Sequence, residues 1–260
     1  MSQPAKQKDA SKQKGGQGGG SAKLRGLPKD SPEVRVSKTL SWILRHGAKS
    51  EGLYMRPDGF VRVTELLASP KLASLDLNGL QQIVKDDAKM RYTLIYGPDE
   101  NQPDAGDIWW MRANQGHSMK AVKLDLKPIL SASDIPLAVH GTNKKAWPSI
   151  SEQGLSKMAR NHIHLAQGIA GDGVISGMRT SAQILIYIDV QKALDAGIKF
   201  HLSENGVVLT EGNERGFLAP EFFSRVETRQ GELLLGHREG TASEAAVPSP
   251  ETITEEASAT

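Results

Sequence analysis

The sequence predicts an α+β chain, folded in two halves between two disordered tails. Three observations carry that expectation. Apolar residues fall at helical spacing early in the chain and then give way to β-rich runs. From about Lys127 short strands and short helices alternate. At both ends apolar periodicity is missing altogether. The boundaries expected are a basic tail at 1–30, a first half at 31–126, a second half at 127–237 and an acidic tail at 238–260.

The first half opens with a helix from Val34 to Ala48, where Val36, Leu40, Ile43 and Leu44 share a face. Ser31 suits its N-cap, Pro32 the first helical position and Glu33 the first turn, while Gly47 suits the residue after its end. A strand at Gly59–Val63 and a short helix at Thr64–Ala68 follow. Asp76 to Ala88 is amphipathic, with Leu77, Leu80, Ile83 and Val84 on one face. Two β-rich runs, Arg91–Tyr96 and Ile108–Met111, flank a loop of Gly, Pro, Asp and Asn and predict a hairpin. Helix, strand, helix, helix, hairpin is the order of a winged helix; a plain α+β packing module fits the same pattern.

In the second half strands are expected at Leu137–Thr142, His162–Ala166, Ile184–Asp189 and Gly206–Thr210. Helices are expected at Lys144–Gln153 and Val190–Ala196, with another starting at Pro220–Phe223. The apolar run Ile184–Ile188 predicts a central strand buried on both faces. No internal repeat is present.

Charge and composition narrow the function classes. Residues 1–34 carry six Lys and one Arg against two Asp and one Glu, whereas residues 238–260 carry one Arg against five Glu. The middle is only mildly basic and does not announce a nucleic-acid binder, so any RNA affinity must come from local arginine clusters rather than a global field. The chain has no cysteine, which excludes a disulfide framework, a zinc ribbon and a thiol nucleophile. No stretch has the length of a membrane span or signal segment, and the lysine-rich start makes a poor transit peptide. Cytoplasm or nucleus is therefore the expected location.

The chemistry concentrates in a few fragments. Arg160-Asn161-His162-Ile163-His164-Leu165 is followed by Gly173-Val174-Ile175-Ser176-Gly177-Met178-Arg179. Gly171, Gly173 and Gly177 do not have dinucleotide-fingerprint spacing, and they precede a strand rather than opening a helix. They form either a surface turn or a ligand loop; Arg179 and the nearby His-x-His favour a loop in which Ser176, Gly177 and Arg179 contact a ligand. His162 and His164, two apart on a strand, share a face. Metal ligation would require a third ligand, and none stands at close spacing, so no metal is expected. Hydrogen bonding in a polar core is the plainer role for both. Arg45 and His46 precede Gly47 at a helix end, where basic residues also cap carbonyls. Arg91 and Arg160 fit ordinary solvated arginines equally well. Yet guanidinium is the preferred bidentate partner of a phosphate dianion, and arginines from distant segments can converge on one. Asn114, Gln115 and His117 either line a cleft between the halves or form a plain strand end and turn.

Taken in order, Leu44-Arg45-His46-Gly47-Ala48, Arg91, Arg112-Ala113-Asn114-Gln115-Gly116-His117-Ser118, Val139-His140-Gly141-Thr142 and the Arg160–Arg179 run resemble the RNA 2′-phosphotransferase (tRNA 2′-phosphotransferase) family. The resemblance runs from about Val34 to about Arg225. It implies a winged-helix first half and an ADP-ribosyltransferase-like second half. It also implies NAD as consumed co-substrate and RNA with an internal 2′-phosphate, typically spliced tRNA, as partner. Arg45, His46, Arg91 and Arg160 then engage the RNA phosphate. His140, Gly141, Thr142 and His164, with Ser176, Gly177 and Arg179, then face NAD. Gly141 would permit close approach to the nicotinamide ring.

Two steps are implied. The 2′-phosphate attacks the anomeric carbon of the nicotinamide ribose and expels neutral nicotinamide, giving RNA-2′-phospho-ADP-ribose. The ribose 2″-hydroxyl then attacks the phosphodiester, leaving RNA with a 2′-OH and releasing ADP-ribose 1″,2″-cyclic phosphate. A monomer is expected. Two alternatives stand beside this reading. An ADP-ribosyltransferase acting on protein or nucleic-acid ends would place a glutamate on the Gly206–Thr210 strand, which is apolar, although Glu211 and Glu214 follow it. A winged-helix DNA-binding regulator would read DNA with Asp76–Ala88, where Lys85 stands against Asp76, Asp86 and Asp87.

Overall fold

The structure is a computed structural model that describes residues 26–236, apart from 103, 105 and 170–175. Gly171 and Gly173, the whole acidic tail and all but the last residues of the basic tail lie outside the described residues. The fold is mixed α/β, with few helices and several sheets whose strand pairs are all antiparallel.

Helix α1 spans Pro32–Trp42, and Ser31 accepts a hydrogen bond from Val34 N–H as its N-cap. The helix does not stop at Gly47 as expected. It widens into a π-helical turn over Ile43–Gly47, tightens into a 3-10 turn over Ala48–Glu51, and ends at Gly52, which is left-handed at φ 72°. Gly47 has φ −107° and serves packing instead: a Cβ there would lie 2.5 Å from the Trp42 ring. The expected Gly59–Val63 strand shrinks to β1 (Val61–Arg62), because Gly59 closes a turn at φ 87° and Val63 already opens α2 (Val63–Leu67). Helix α3 (Leu77–Lys85) is capped by Asp76 and buries Leu80. Strands β2 (Tyr92–Pro98) and β3 (Asp107–Ala113) form the expected hairpin, and β3 lies between β1 and β2. Leu40, Ile43, Leu44, Leu66, Leu80 and Met111 anchor the core of this half.

The remaining chain builds two four-stranded sheets. One runs β4 (Lys127–Ile129), β9 (Phe200–Leu202), β10 (Val208–Thr210), β7 (Ile163–Leu165); the other runs β13 (Leu233–Gly236), β12 (Phe223–Thr228), β8 (Ile184–Ile188), β5 (Val139–Thr142). Strand β8 lies inside its sheet and is buried throughout, as its apolar run predicts. Helices α4 (Trp147–Gln153) and α5 (Val190–Asp195) and the short pair β6 (Leu155–Ser156) and β11 (Phe217–Leu218) complete the half. The helix expected from Pro220 is absent: Pro220–Phe222 is a single 3-10 turn that leads into β12. Val226 and Thr228 are buried at strand period, a bulge near Phe223 shifts the register there, and pairing with β8 overrides the turn-starting proline.

A reciprocal backbone pair joins the two sheets. Val139 N–H donates to the Ala166 carbonyl at 2.9 Å, and Ala166 N–H returns a bond at 2.8 Å. Ile163, Leu165, Ile186, Phe200, Val208 and Val226 fill the core between the sheets. That packing fixes which way the residues of β5 and β7 face.

Candidate active site

One backbone segment draws the expected phosphate-binding residues together. After β3 ends at Ala113, Asn114 N–H donates to the Arg91 carbonyl at 2.9 Å. Ser118 N–H donates to the Arg45 carbonyl at 3.0 Å, and the His117 carbonyl accepts from Asn161 N–H at 2.8 Å. Three distant stretches of sequence are thereby tied to five consecutive residues. Gly116, at φ 92°, lies flat beneath Arg45, whose Cδ and Nε would be 3.3 Å from any Cβ added there. Asn114, Gln115 and His117 are buried. Of the two readings left open by the sequence, the structure shows the strand end and buried turn.

The Arg45 side chain is held against the Gly116 backbone. Its Nε and Nη2 are buried with no hydrogen-bond partner, and burial followed by the nearby Arg160 and Arg91 charges pushes its pKa down. Burial and then Arg179 lower Arg160 likewise. Among the described residues neither Arg45 nor Arg160 has a carboxylate within ion-pair distance. Arg91 does: Asp87 grips its Nη1. His46 Nδ1 lies 2.9 Å from the Ser118 hydroxyl, and burial with Arg160 and Arg45 lowers its pKa to about 4. A group of buried cations held close with so little compensating charge is costly unless an anion joins them. A phosphate dianion has the matching charge and fork geometry.

The histidines of the second half border this cluster. His164 is buried on β7, its Nε2 has no partner, and burial with the Arg160 and Arg45 charges holds its pKa well below the usual value. His140 on β5 bonds through Nδ1 to the His164 carbonyl at 3.0 Å. A carbonyl only accepts, so Nδ1 carries the proton, and burial keeps the ring neutral. Nε2 of His140 is thereby fixed as an acceptor. His162 precedes β7 and lies among Glu211, His201, Lys157 and Lys120. No group of three or more His, Cys, Asp and Glu among the described residues could hold a metal.

Gly141 lies in a packed part of β5. A Cβ there would sit 2.6 Å from Met178 Cγ and 2.8 Å from Ala182 Cβ, so only glycine fits at this position. Ser176 spends its hydroxyl on the Lys89 carbonyl at 3.0 Å, and Arg179 is exposed. Thr142 closes β5, where its carbonyl accepts from Gln183 N–H. Sequence reasoning missed Asp87 and Ser118. Asp87 stands four residues before Arg91, a spacing that signals a pair on a continuous helix, but α3 ends at Lys85. A cavity of about 360 Å³ lined by Leu137, Tyr187, Val190 and Arg225 touches none of these cations.

Comparison with known proteins identifies the family. The family model described as "RNA 2'-phosphotransferase, Tpt1 / KptA family" matches residues 31–212. A "Putative tRNA 2'-phosphotransferase" of Schizosaccharomyces pombe is 49% identical over 203 residues, 78% of this chain but 53% of the relative, so the chain spans about half of that protein. The "tRNA 2'-phosphotransferase 1" of Danio rerio is 49% identical over 201 residues, 76% of this chain and 87% of the relative. Its namesake in Homo sapiens is 46% identical over 193 residues, covering 74% of each chain. The protein belongs to the RNA 2′-phosphotransferase family.

Proposed function

We propose that this chain removes an internal 2′-phosphate from RNA, of the kind left at a tRNA splice junction, and consumes NAD in doing so. The products are RNA with a 2′-OH, nicotinamide and ADP-ribose 1″,2″-cyclic phosphate. The first half is read as a winged helix that carries most of the phosphate cradle. The second half is read as an ADP-ribosyltransferase-like NAD-binding unit. The observation that carries this reading is the unpartnered, buried Arg45 guanidinium beside Arg91 and Arg160. The relatives' names point the same way.

The geometry supports a role for each residue. Arg45, Arg91 and Arg160 hold the phosphate and neutralise it in both steps, as positioned cations do in phosphoryl transfer. His46, held by Ser118 at Nδ1, presents Nε2 to a phosphate oxygen. His140 offers an acceptor to a ribose hydroxyl, and the unpartnered His164 Nε2 is free for the same ligand. Gly177, Arg179, Thr142 and Ser176 border that ligand, while Gly141 acts through Met178. NAD supplies an electrophilic ribose carbon whose leaving group departs neutral, so positioning outweighs acid catalysis.

The test mixes the protein with NAD and a short RNA bearing one internal 2′-phosphate, then resolves the products by chromatography. Nicotinamide and the cyclic phosphate should appear together with dephosphorylated RNA. Unchanged RNA, or ADP-ribose transferred to protein, would overturn the reading.

A further inference from the structure

Lys89 stands two residues before Arg91 and belongs to none of the roles above. It carries three hydrogen bonds into the second half. Its Nζ donates to the Met178 carbonyl at 3.1 Å, and its own carbonyl accepts from Ser176 Oγ and Asn205 Nδ2, both at 3.0 Å. Two donors occupy both lone pairs of that carbonyl. The next two carbonyls are held as well: Asn114 Nδ2 donates to that of Met90 at 2.8 Å, and Asn114 N–H to that of Arg91. Met90 sits at φ 44°, an uncommon conformation for a side-chain-bearing residue, and it persists because both neighbours are pinned.

The far end of the connection is equally firm. Met178 is buried and occupies the space left by the missing Cβ of Gly141. Asn205, also buried, closes the β9–β10 turn by accepting from Ser203 Oγ at 3.0 Å. An unbroken physical path therefore runs from Arg91 through Lys89 and Met178 to His140-Gly141-Thr142. A shift of the Arg91 end draws on the backbone of the Ser176–Met178 segment, and the reverse holds.

Building on the proposed function, we infer that Lys89 is a positioning residue that couples the phosphate cradle to the NAD-side segment, so that each substrate tightens binding of the other. Such coupling is reciprocal: the factor by which RNA tightens the nucleotide equals the factor by which the nucleotide tightens RNA. The chain thereby favours the ternary complex over either binary one.

The experiment titrates ADP-ribose into the full-length protein by calorimetry, with and without saturating RNA bearing an internal 2′-phosphate, and then exchanges the roles. ADP-ribose retains the part of NAD that remains on the enzyme side and cannot release nicotinamide. The native protein should show mutual tightening of about fivefold or more in both directions. In Lys89→Met the coupling should fall below about twofold, while each ligand alone binds within about twofold of native. Lys89→Arg, which keeps a donor, should restore it. Asn205→Ala, which removes a bond to the Lys89 carbonyl without touching Nζ, should weaken it. Thermal melts of all variants should keep a single cooperative transition. Native protein that binds both ligands without mutual tightening would overturn the inference, as would Lys89→Met with full coupling. Native protein that binds neither ligand would overturn the proposed function itself, which separates the two failures.

Discussion

The Asp87 carboxylate holds Arg91 at two points, the guanidinium Nη1 and the backbone N–H, from a side chain that is 5% exposed. It is the only acid paired with an arginine of the cradle among the described residues. In the proposed phosphate site an acid would oppose phosphate binding, so its value there would lie in aiming Arg91.

Asp87→Asn separates those two effects. Removing the charge leaves the cradle more positive, so affinity for 2′-phosphorylated RNA should hold or rise. Turnover should fall about tenfold or more, because Arg91 loses its orientation. Steady-state kinetics and RNA titration together make the comparison. Weaker RNA binding at unchanged turnover would contradict the aiming role.

Arg45 makes a different prediction, because its burial lacks a partner. A desolvated, unpaired guanidinium costs stability that an apolar side chain of similar length does not. Arg45→Met should therefore melt at a higher temperature than the native chain while losing turnover by about a hundredfold or more. Arg160→Ala should lose turnover comparably, and Arg160→Lys should recover little of it, because an ammonium lacks the fork. A native level of turnover in Arg160→Ala would remove the cradle from the mechanism.

How far the sequence reveals this site depends on what joins its parts. Local pattern suffices for α1, α3, the β2–β3 hairpin and β8, whose periods are strong and whose caps are nearby in sequence. It fails at Gly47, whose reason is the Trp42 ring above it, and at Pro220, where pairing with β8 decides. Arg45, His46, Arg91 and Arg160 could be proposed as one group only through a family resemblance. The bonds that gather them run through Asn114, His117 and Ser118 and have no local signature. The close packing of Gly141 against Met178 and Ala182 is a second contact with no local signature.

Acid should unfold the site before the rest. His46, with a pKa of about 4, and His117, at about 3, are both lowered chiefly by burial, and nearby arginines push the same way. His140 and His164 are lowered for the same first reason. A histidine with a folded-state pKa below its unfolded value of about 6.5 favours the fold only while neutral. That stability is present above pH ~6.5 and is lost as pH falls towards the folded-state values. Melting temperature should drop steadily from pH 7 to pH 4.5, measured by calorimetry at constant ionic strength. A flat or rising profile across that window would mean the rings are not buried in neutral form.

Gly141→Ala tests the packing of Met178. The added methyl would stand 2.6 Å from Met178 Cγ and 2.8 Å from Ala182 Cβ, inside any tolerable contact. Overpacking of this kind costs about 1–3 kcal/mol, and here Met178 is the flexible neighbour that must give way. The substitution should lower the melting temperature by several degrees and displace Met178, whose carbonyl holds Lys89 Nζ. Trimming the obstacle should reverse part of the damage: Gly141→Ala combined with Met178→Ala should be less than additive in stability loss. If Gly141 served only to admit a nicotinamide ring, the single variant would melt like the native protein and lose NAD affinity alone. Paired melting and nucleotide titration on the two single variants and the double variant decide between those outcomes.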